Sequence, residues 1–234
     1  MPKIKGVLFD LDGTLIDTLE AYTRAFNQGI KKFDLEPISQ EKLASFLNRA
    51  LGLESILREL FPSHFEKLET RLQCLTEIAK AYRAEVEQEK VSLKPGTREV
   101  LPKLKEMGLK IGIVTGRTTS GELKWAELHW LNIARFIDSI VTGADAPRKP
   151  SPNGVVKCAN EIGLSPEECV LVGDSQADII TGKAAGIMTI AIPTGVAKEE
   201  LLFQEGPTAI IRSLAELPSL IKRLNQEQGE LKKP

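Results

Sequence analysis

The sequence predicts an α/β fold: a doubly wound parallel sheet carrying an inserted all-helical domain. Two observations carry that reading. Short runs rich in β-branched residues alternate with helically spaced segments along most of the chain, and such alternation builds an open sheet with right-handed crossovers. One long stretch, from Thr18 to about residue 90, breaks the rhythm and shows helical spacing alone.

The runs at 4–9, 109–114, 136–141, 169–172, 187–192 and 208–211 stay apolar over several successive residues. That pattern suits strands buried on both faces. Helical spacing recurs near 96–106, 120–131, 152–162, 176–185 and 213–224. Pro152 and Pro166 stand near helix starts, where a missing N–H costs little. Trp125 and Trp130 read as packing residues of the helix near 120–131. Within the insert, Leu19, Tyr22, Phe26, Ile30 and Phe33 form one stripe, with Asp17 as the expected N-cap. Phe65, Leu68, Leu72, Leu75, Ala79, Tyr82 and Val86 follow alternating steps of three and four, the pattern of a long helix in a bundle. The expected division is 1–16 and 92–234 for the sheet domain and 17–91 for the helical insert. The polar tail after Asn225 is expected to fray.

Composition narrows the function. The 234 residues hold 31 Lys+Arg against 32 Asp+Glu, a net charge of −1, which gives no electrostatic basis for a nucleic-acid or membrane-surface partner. No run approaches the roughly 18–20 apolar residues of a membrane span. The apolar run that follows Lys3 and Lys5 stops at Asp10, too short for a signal peptide. Cys74, Cys158 and Cys169 form no C-x-x-C pair; an odd, scattered set reads as reduced thiols of a cytoplasmic protein. The expected state is monomer or homodimer.

The chemistry gathers after the strands. Asp10 and Asp12 follow the first, Thr115 the second, Lys149 lies in the loop after the third, and Asp174 follows the fourth with Asp178 four residues on. Loops at the carboxyl ends of strands in such a sheet line one crevice. Carboxylates gathered there repel one another, and oxygen donors without sulfur or imidazole favour Mg2+ over Zn2+. His64 and His129 lie outside the pattern. Thr115 and Lys149 suit a phosphoryl oxygen, the anion that Mg2+ would share.

In that order the motifs Asp10-Leu11-Asp12-Gly13-Thr14, Val114-Thr115-Gly116, Lys149-Pro150-Ser151-Pro152 and Gly173-Asp174-Ser175-Gln176-Ala177-Asp178 resemble those of the haloacid dehalogenase-like (HAD) hydrolase superfamily. Ala184-Ala185-Gly186-Ile187 and Pro193-Thr194-Gly195 look similar to the family as well. The branch it resembles is the phosphoglycolate phosphatase-like group, with a Rossmann-like core and a helical cap inserted after the first motif. The resemblance implies a Mg2+-dependent phosphatase of a small phosphorylated metabolite, with 2-phosphoglycolate the single best candidate. It implies Asp10 as nucleophile, Asp12 as acid and base, and Lys149 as charge compensator. Thr115 and Gly116 would bind the phosphoryl group. Asp10, the Asp12 carbonyl, Asp174 and Asp178 would serve the metal, Asp178 through water or by orienting Lys149. Arg49 in the cap is a candidate reader of a substrate carboxylate or second phosphate. A pyrophosphatase, a sugar-phosphate mutase, or a non-catalytic binding protein dimerising through the 65–86 stripe are the alternatives. One departure stands out: many relatives have Asn after the Thr of the second motif, and here Gly116-Arg117 follows.

Overall fold

The computed structural model describes residues 2–49, 51–88, 90–118, 120–195 and 197–230. In chain order the elements are β1 (Gly6–Phe9), β2 (Ile16–Asp17), α1 (Leu19–Lys31), α2 (Gln40–Asn48), α3 (Leu53–Leu60), α4 (Leu68–Glu87), β3 (Ser92–Leu93), α5 (Thr97–Glu106) and β4 (Lys110–Val114). There follow α6 (Gly121–Trp130), β5 (Ser139–Val141), α7 (Asn153–Glu161), β6 (Cys169–Gly173), α8 (Gln176–Ala184), β7 (Met188–Ala191), α9 (Glu199–Gln204), β8 (Ala209–Ile210) and α10 (Leu217–Glu230). The chain divides into two compact units: Met1–Ile16 with Leu93–Pro234, and Asp17–Ser92.

The first unit is the predicted Rossmann-like α/β sheet. Among the described residues six strands pair in the order β5-β4-β1-β6-β7-β8, each pair parallel. The chain winds outward from β1 through β4 to β5, then returns to β6 on the other side of β1. The order therefore reverses at β1, which opens a crevice at the carboxyl ends of β1, β4 and β6. Unbroken apolar runs make this possible: every residue of β1 and of β6 is buried. Leu8, Val155, Cys158 and Leu171 share one core cluster on the α7 side. Burying a leucine or valine in this way stabilises by about 1.5–3 kcal/mol. All three cysteines are buried free thiols, and burial pushes those of Cys158 and Cys169 up to about 12.

Where the sheet domain departs from expectation, the causes are local. The run at 136–141 enters its strand only at Ser139, because Ala134–Phe136 closes a 3-10 turn. Trp130 does not pack: it is 55% exposed at the end of α6. The tail after Asn225 does not fray at once. Asn225 brackets Ile4, accepting from its N–H at 2.7 Å and donating to its carbonyl at 3.3 Å, and α10 runs on to Glu230.

The second unit is helical, α1 to α4, around Phe26, Ile30, Leu43, Phe46, Ile56, Leu57, Phe65, Cys74 and Ile78. Phe65 takes edge-to-face contacts from Phe33 and Phe61. The N-cap of α1 is Thr18, not Asp17. The buried line of α4 also differs from the predicted stripe. Leu68 and Leu72 are 55% and 52% exposed, Ala79 is exposed, and Phe65 precedes the helix. The buried residues are Cys74, Ile78, Ala81, Glu85 and Val86. Glu85 tolerates that place because Arg24 of α1 donates to it at 2.8 Å. Among the described residues no helix is long and apolar enough to cross a membrane.

Candidate active site

The loop after β1 is a tight curl. The Leu11 carbonyl accepts from the N–H groups of Leu15 and Ile16, both at 3.0 Å, and Gly13 N–H donates to the Ile16 carbonyl at 2.8 Å. Gly13 sits at φ +88°, a region that strains any residue with a Cβ. A Cβ on Gly195 would fall 1.6 Å from an Asp174 carboxylate oxygen, so only glycine lets the loop after β7 approach Asp174 from that side. Thr194 donates its hydroxyl to the Gly13 carbonyl at 2.8 Å. The Pro193-Thr194-Gly195 segment thus ties the last of these loops to the first.

The structure brings together Asp10, Lys149, Asp174 and Asp178. Carboxylate oxygens of Asp10, Asp174 and Asp178 all lie within 4.8 Å of one another, and all three residues are buried. Lys149 Nζ donates to Asp10 Oδ1 and, at 2.5 Å, to Asp178 Oδ1. The other Asp178 oxygen accepts from Ser175 Oγ at 2.6 Å and Ser175 N at 3.1 Å. Asp178 therefore closes the capping box that starts α8 while aiming Lys149. Asp174 accepts from Thr14 Oγ1 at 2.9 Å. Burial pushes the Asp10 carboxyl well above the usual carboxylate range. Lys149 pulls it back, and Asp178, Asp174 and Asp12 push the same way as burial. Burial works against the Lys149 ammonium as well, but Asp10 and Asp178 outweigh it and hold the group above the ordinary lysine range.

Asp12 stands apart from this cluster. Arg117 takes both of its carboxylate oxygens, Nε donating to Oδ2 at 2.7 Å and Nη2 to Oδ1. Arg117 Nη1 reaches Glu127 Oε2 at 3.4 Å, and the same oxygen accepts from Lys124 Nζ. Side-chain exposures are 7% for Arg117, 5% for Glu127 and 3% for Lys124. Burial first, then Arg117, pulls the Lys124 ammonium down to about 8 against the opposing pull of Glu127 and Asp12. Sequence motifs did not point to this chain of charges. Its signal was the spacing of Lys124 and Glu127 with core Leu128 on one face of a helix.

Thr115 is buried at the end of β4, and its Oγ1 accepts from Arg117 N at 3.3 Å. It does not cap α6, whose N-cap is Ser120. Gly116 leaves the room that the Arg148 guanidinium approaches, Nη2 lying 3.4 Å from where a Cβ would stand. Arg49, in the helical unit, forks on Glu59 at 2.8 and 3.3 Å and lies over the Phe46 ring. His64 and His129 are exposed.

A model of the haloacid dehalogenase-like hydrolases matches residues 7–192. This chain belongs to that family. It is 32% identical over 225 residues to the "Putative pyrophosphatase PpaX" of Clostridium perfringens, covering 95% of this chain and 99% of that one. It is 27% identical over 249 residues to the phosphoglycolate phosphatase of Salmonella typhi, covering 99% and 98%. Its fold superposes on the crystal structure of a predicted phosphoglycolate phosphatase from Haemophilus somnus 129pt with a TM-score of 0.82, at 22% identity over 94% of this chain and 99% of that one. With these relatives the chain is a phosphatase of the HAD family, in its phosphoglycolate phosphatase-like branch.

Proposed function

We propose that this phosphatase is Mg2+-dependent, takes the phosphoryl group of a small metabolite onto Asp10, and acts best on 2-phosphoglycolate. The observation that carries the reading is the buried set of Asp10, Asp174 and Asp178 with Lys149 as the ammonium between Asp10 and Asp178. Three carboxylates against one ammonium leave an excess of negative charge in a dry place, which a hard divalent ion offsets. The donors are oxygens alone, which fits Mg2+. Asp10, Asp174 and the Asp12 carbonyl would hold it. Asp178 has both oxygens engaged and serves by holding Lys149. When bound, the ion supplies positive charge to the phosphoryl oxygens and to the nucleophile.

The residues do the rest. An Asp10 oxygen attacks phosphorus in line; that O–P bond forms as the bond to the leaving oxygen breaks. Asp12 gives the leaving oxygen its proton. A water then attacks phosphorus, loses its proton to Asp12, and breaks the Asp10–phosphorus bond to release phosphate. Thr115 Oγ1 and the Gly116 N–H hold phosphoryl oxygens, and Lys149 offsets charge on the nucleophile.

A second reading, pyrophosphate as substrate, is favoured by the 32% identity to the relative named for it. Both substrates share an anionic leaving group. The test is phosphate release from 2-phosphoglycolate, pyrophosphate, β-glucose 1-phosphate and p-nitrophenyl phosphate, with and without Mg2+. The highest kcat/KM on 2-phosphoglycolate, lost without Mg2+ and in Asp10→Asn, is the expected result. Dominance of pyrophosphate would move the assignment to the second reading. Isomerised sugar phosphate with little free phosphate would make it a mutase. Activity surviving in Asp10→Asn would remove the mechanism.

A further inference from the structure

We propose that Arg117, braced from behind by Glu127 and Lys124, is a positioning residue that sets Asp12 for its two proton transfers. The inference rests on the reading of Asp12 given above and adds residues to it. Arg117 directly follows Gly116, the position at which the second motif departs from the Thr-Asn pattern of many relatives.

The geometry separates what can touch a substrate from what cannot. The Asp12 side chain is 30% exposed, while Arg117 beneath it is 7% exposed. Glu127 and Lys124 are more deeply buried still. Glu127 holds Arg117, and Lys124 holds Glu127. A guanidinium is planar, and when two of its nitrogens meet both oxygens of a carboxylate it fixes the carboxylate's plane as well as its place. A lysine ammonium could supply the charge but not the plane. The brace matters for the same reason: Arg117 leaves β4 on a loop, whereas Lys124 and Glu127 sit one turn apart on α6. The Arg117 carbonyl also accepts from Gly143 N at 2.7 Å, which fastens that loop to the one after β5. The sidechain set Asp12, Glu127, Arg117 and Lys124 is neutral by formal charge. Buried ion pairs of this sort seldom stabilise a fold more than apolar side chains of the same volume. What they supply here is a fixed orientation for the one exposed member.

The consequence is kinetic. With p-nitrophenyl phosphate the leaving phenolate needs no proton, so the first transfer to Asp10 runs without help from Asp12. With an alkyl phosphate the leaving alkoxide needs that proton. Water attack on the phosphoenzyme needs Asp12 with either substrate. kcat/KM reports steps through loss of the leaving group, while kcat includes the water step. Misplacing Asp12 should therefore leave a signature that a damaged fold cannot imitate, because a lower fraction of folded enzyme lowers both constants for both substrates alike.

The experiment measures kcat and kcat/KM on p-nitrophenyl phosphate and on 2-phosphoglycolate, or the best alkyl phosphate found, for wild type, Arg117→Ala, Arg117→Lys and Glu127→Gln. Arg117→Ala should lose on the order of 10²-fold in kcat/KM on the alkyl substrate. On the aryl substrate it should lose less than about 5-fold in kcat/KM, with kcat and KM falling together. Arg117→Lys should recover part of the loss, and Glu127→Gln should move the same way by about 3–10-fold. Equal losses on both substrates in Arg117→Lys and Glu127→Gln would overturn the proposal, even were Arg117→Ala not to fold. Wild type that is active, with Asp10→Asn dead and the aryl-to-alkyl ratio unmoved by Arg117, would sink the positioning role and leave the phosphatase mechanism standing. Activity in Asp10→Asn would sink the mechanism instead.

Discussion

Two groups of charge, one around Asp10 and one around Asp12, are built on opposite principles. Asp10 and Asp178 share one ammonium, that of Lys149, with the Asp174 carboxylate beside them. Asp12 and Glu127 face two cations, Arg117 and Lys124. The first group is left negative by its own side chains, and burial pushes Asp10 toward the neutral acid. The second is balanced within itself. An unbalanced buried cluster is costly unless something from outside completes it. A balanced one asks for nothing more and can serve as scaffold. Under the proposed function, the difference separates a place that binds from a place that holds.

The comparison breaks most visibly at Asp174. In Asp174→Asn the first group loses one negative charge and the proposed metal site a carboxylate. Turnover should fall on the order of 10³-fold or more, since metal and charge stabilisation together carry several kcal/mol. Mg2+ should raise the melting temperature of wild type by mass action, and that rise should vanish in the variant. Lys124→Met, in the balanced group, should keep it. A melting temperature that answers Mg2+ equally in wild type and Asp174→Asn would show that the ion binds elsewhere.

Lys149→Met sharpens the contrast from the other side. Without metal it removes the ammonium that the buried Asp10 and Asp178 carboxylates share. Removing one partner of a buried pair costs about 3–5 kcal/mol. Urea unfolding should show a loss of that order in metal-free protein, partly restored by Mg2+. A loss under about 1 kcal/mol, or one that Mg2+ does not touch, would mean that the carboxylates are already satisfied without Lys149.

Much of this was legible in the sequence, for a physical reason. Strands buried on both faces carry unbroken apolar runs, so β1 and β6 announced themselves, and with them the places of Asp10 and Asp174 at their ends. Lys149 and Thr115 followed from the same logic. The stripe read from Phe65 and Leu68 misses the buried line of α4, which runs through Cys74, Ile78, Ala81 and Glu85; only the coordinates place Arg24 against Glu85. Arg117 was noticed as a departure but not as a partner of Asp12. Residue order along a chain reports which charges exist, and pairing across 105 positions of sequence depends on how the loop after β4 turns. Asp178 had both its roles within reach of the motif, yet that its two oxygens divide between Ser175 and Lys149 is a matter of rotamer.

The smallest expected effect lies in the balanced group and concerns stability alone. Lys124 holds its proton less tightly in the folded chain, down to about 8, than the ordinary lysine value of 10.5. Below pH 8 both folded and unfolded chains carry the proton, and folding bears the cost of burying the charge. Between pH 8 and 10.5 the unfolded chain binds more protons, so the stability attributable to Lys124 rises with pH. Lys124→Met has no such group. The stability of wild type relative to this variant should climb with pH at up to about 1.4 kcal/mol per unit and level off on either side of the window. Urea unfolding of both proteins at pH 7, 8, 9 and 10 measures it, the difference cancelling every other group that titrates. A flat difference would mean that Glu127 fully offsets the burial of Lys124, and that the balanced group holds its charge as firmly as a surface pair.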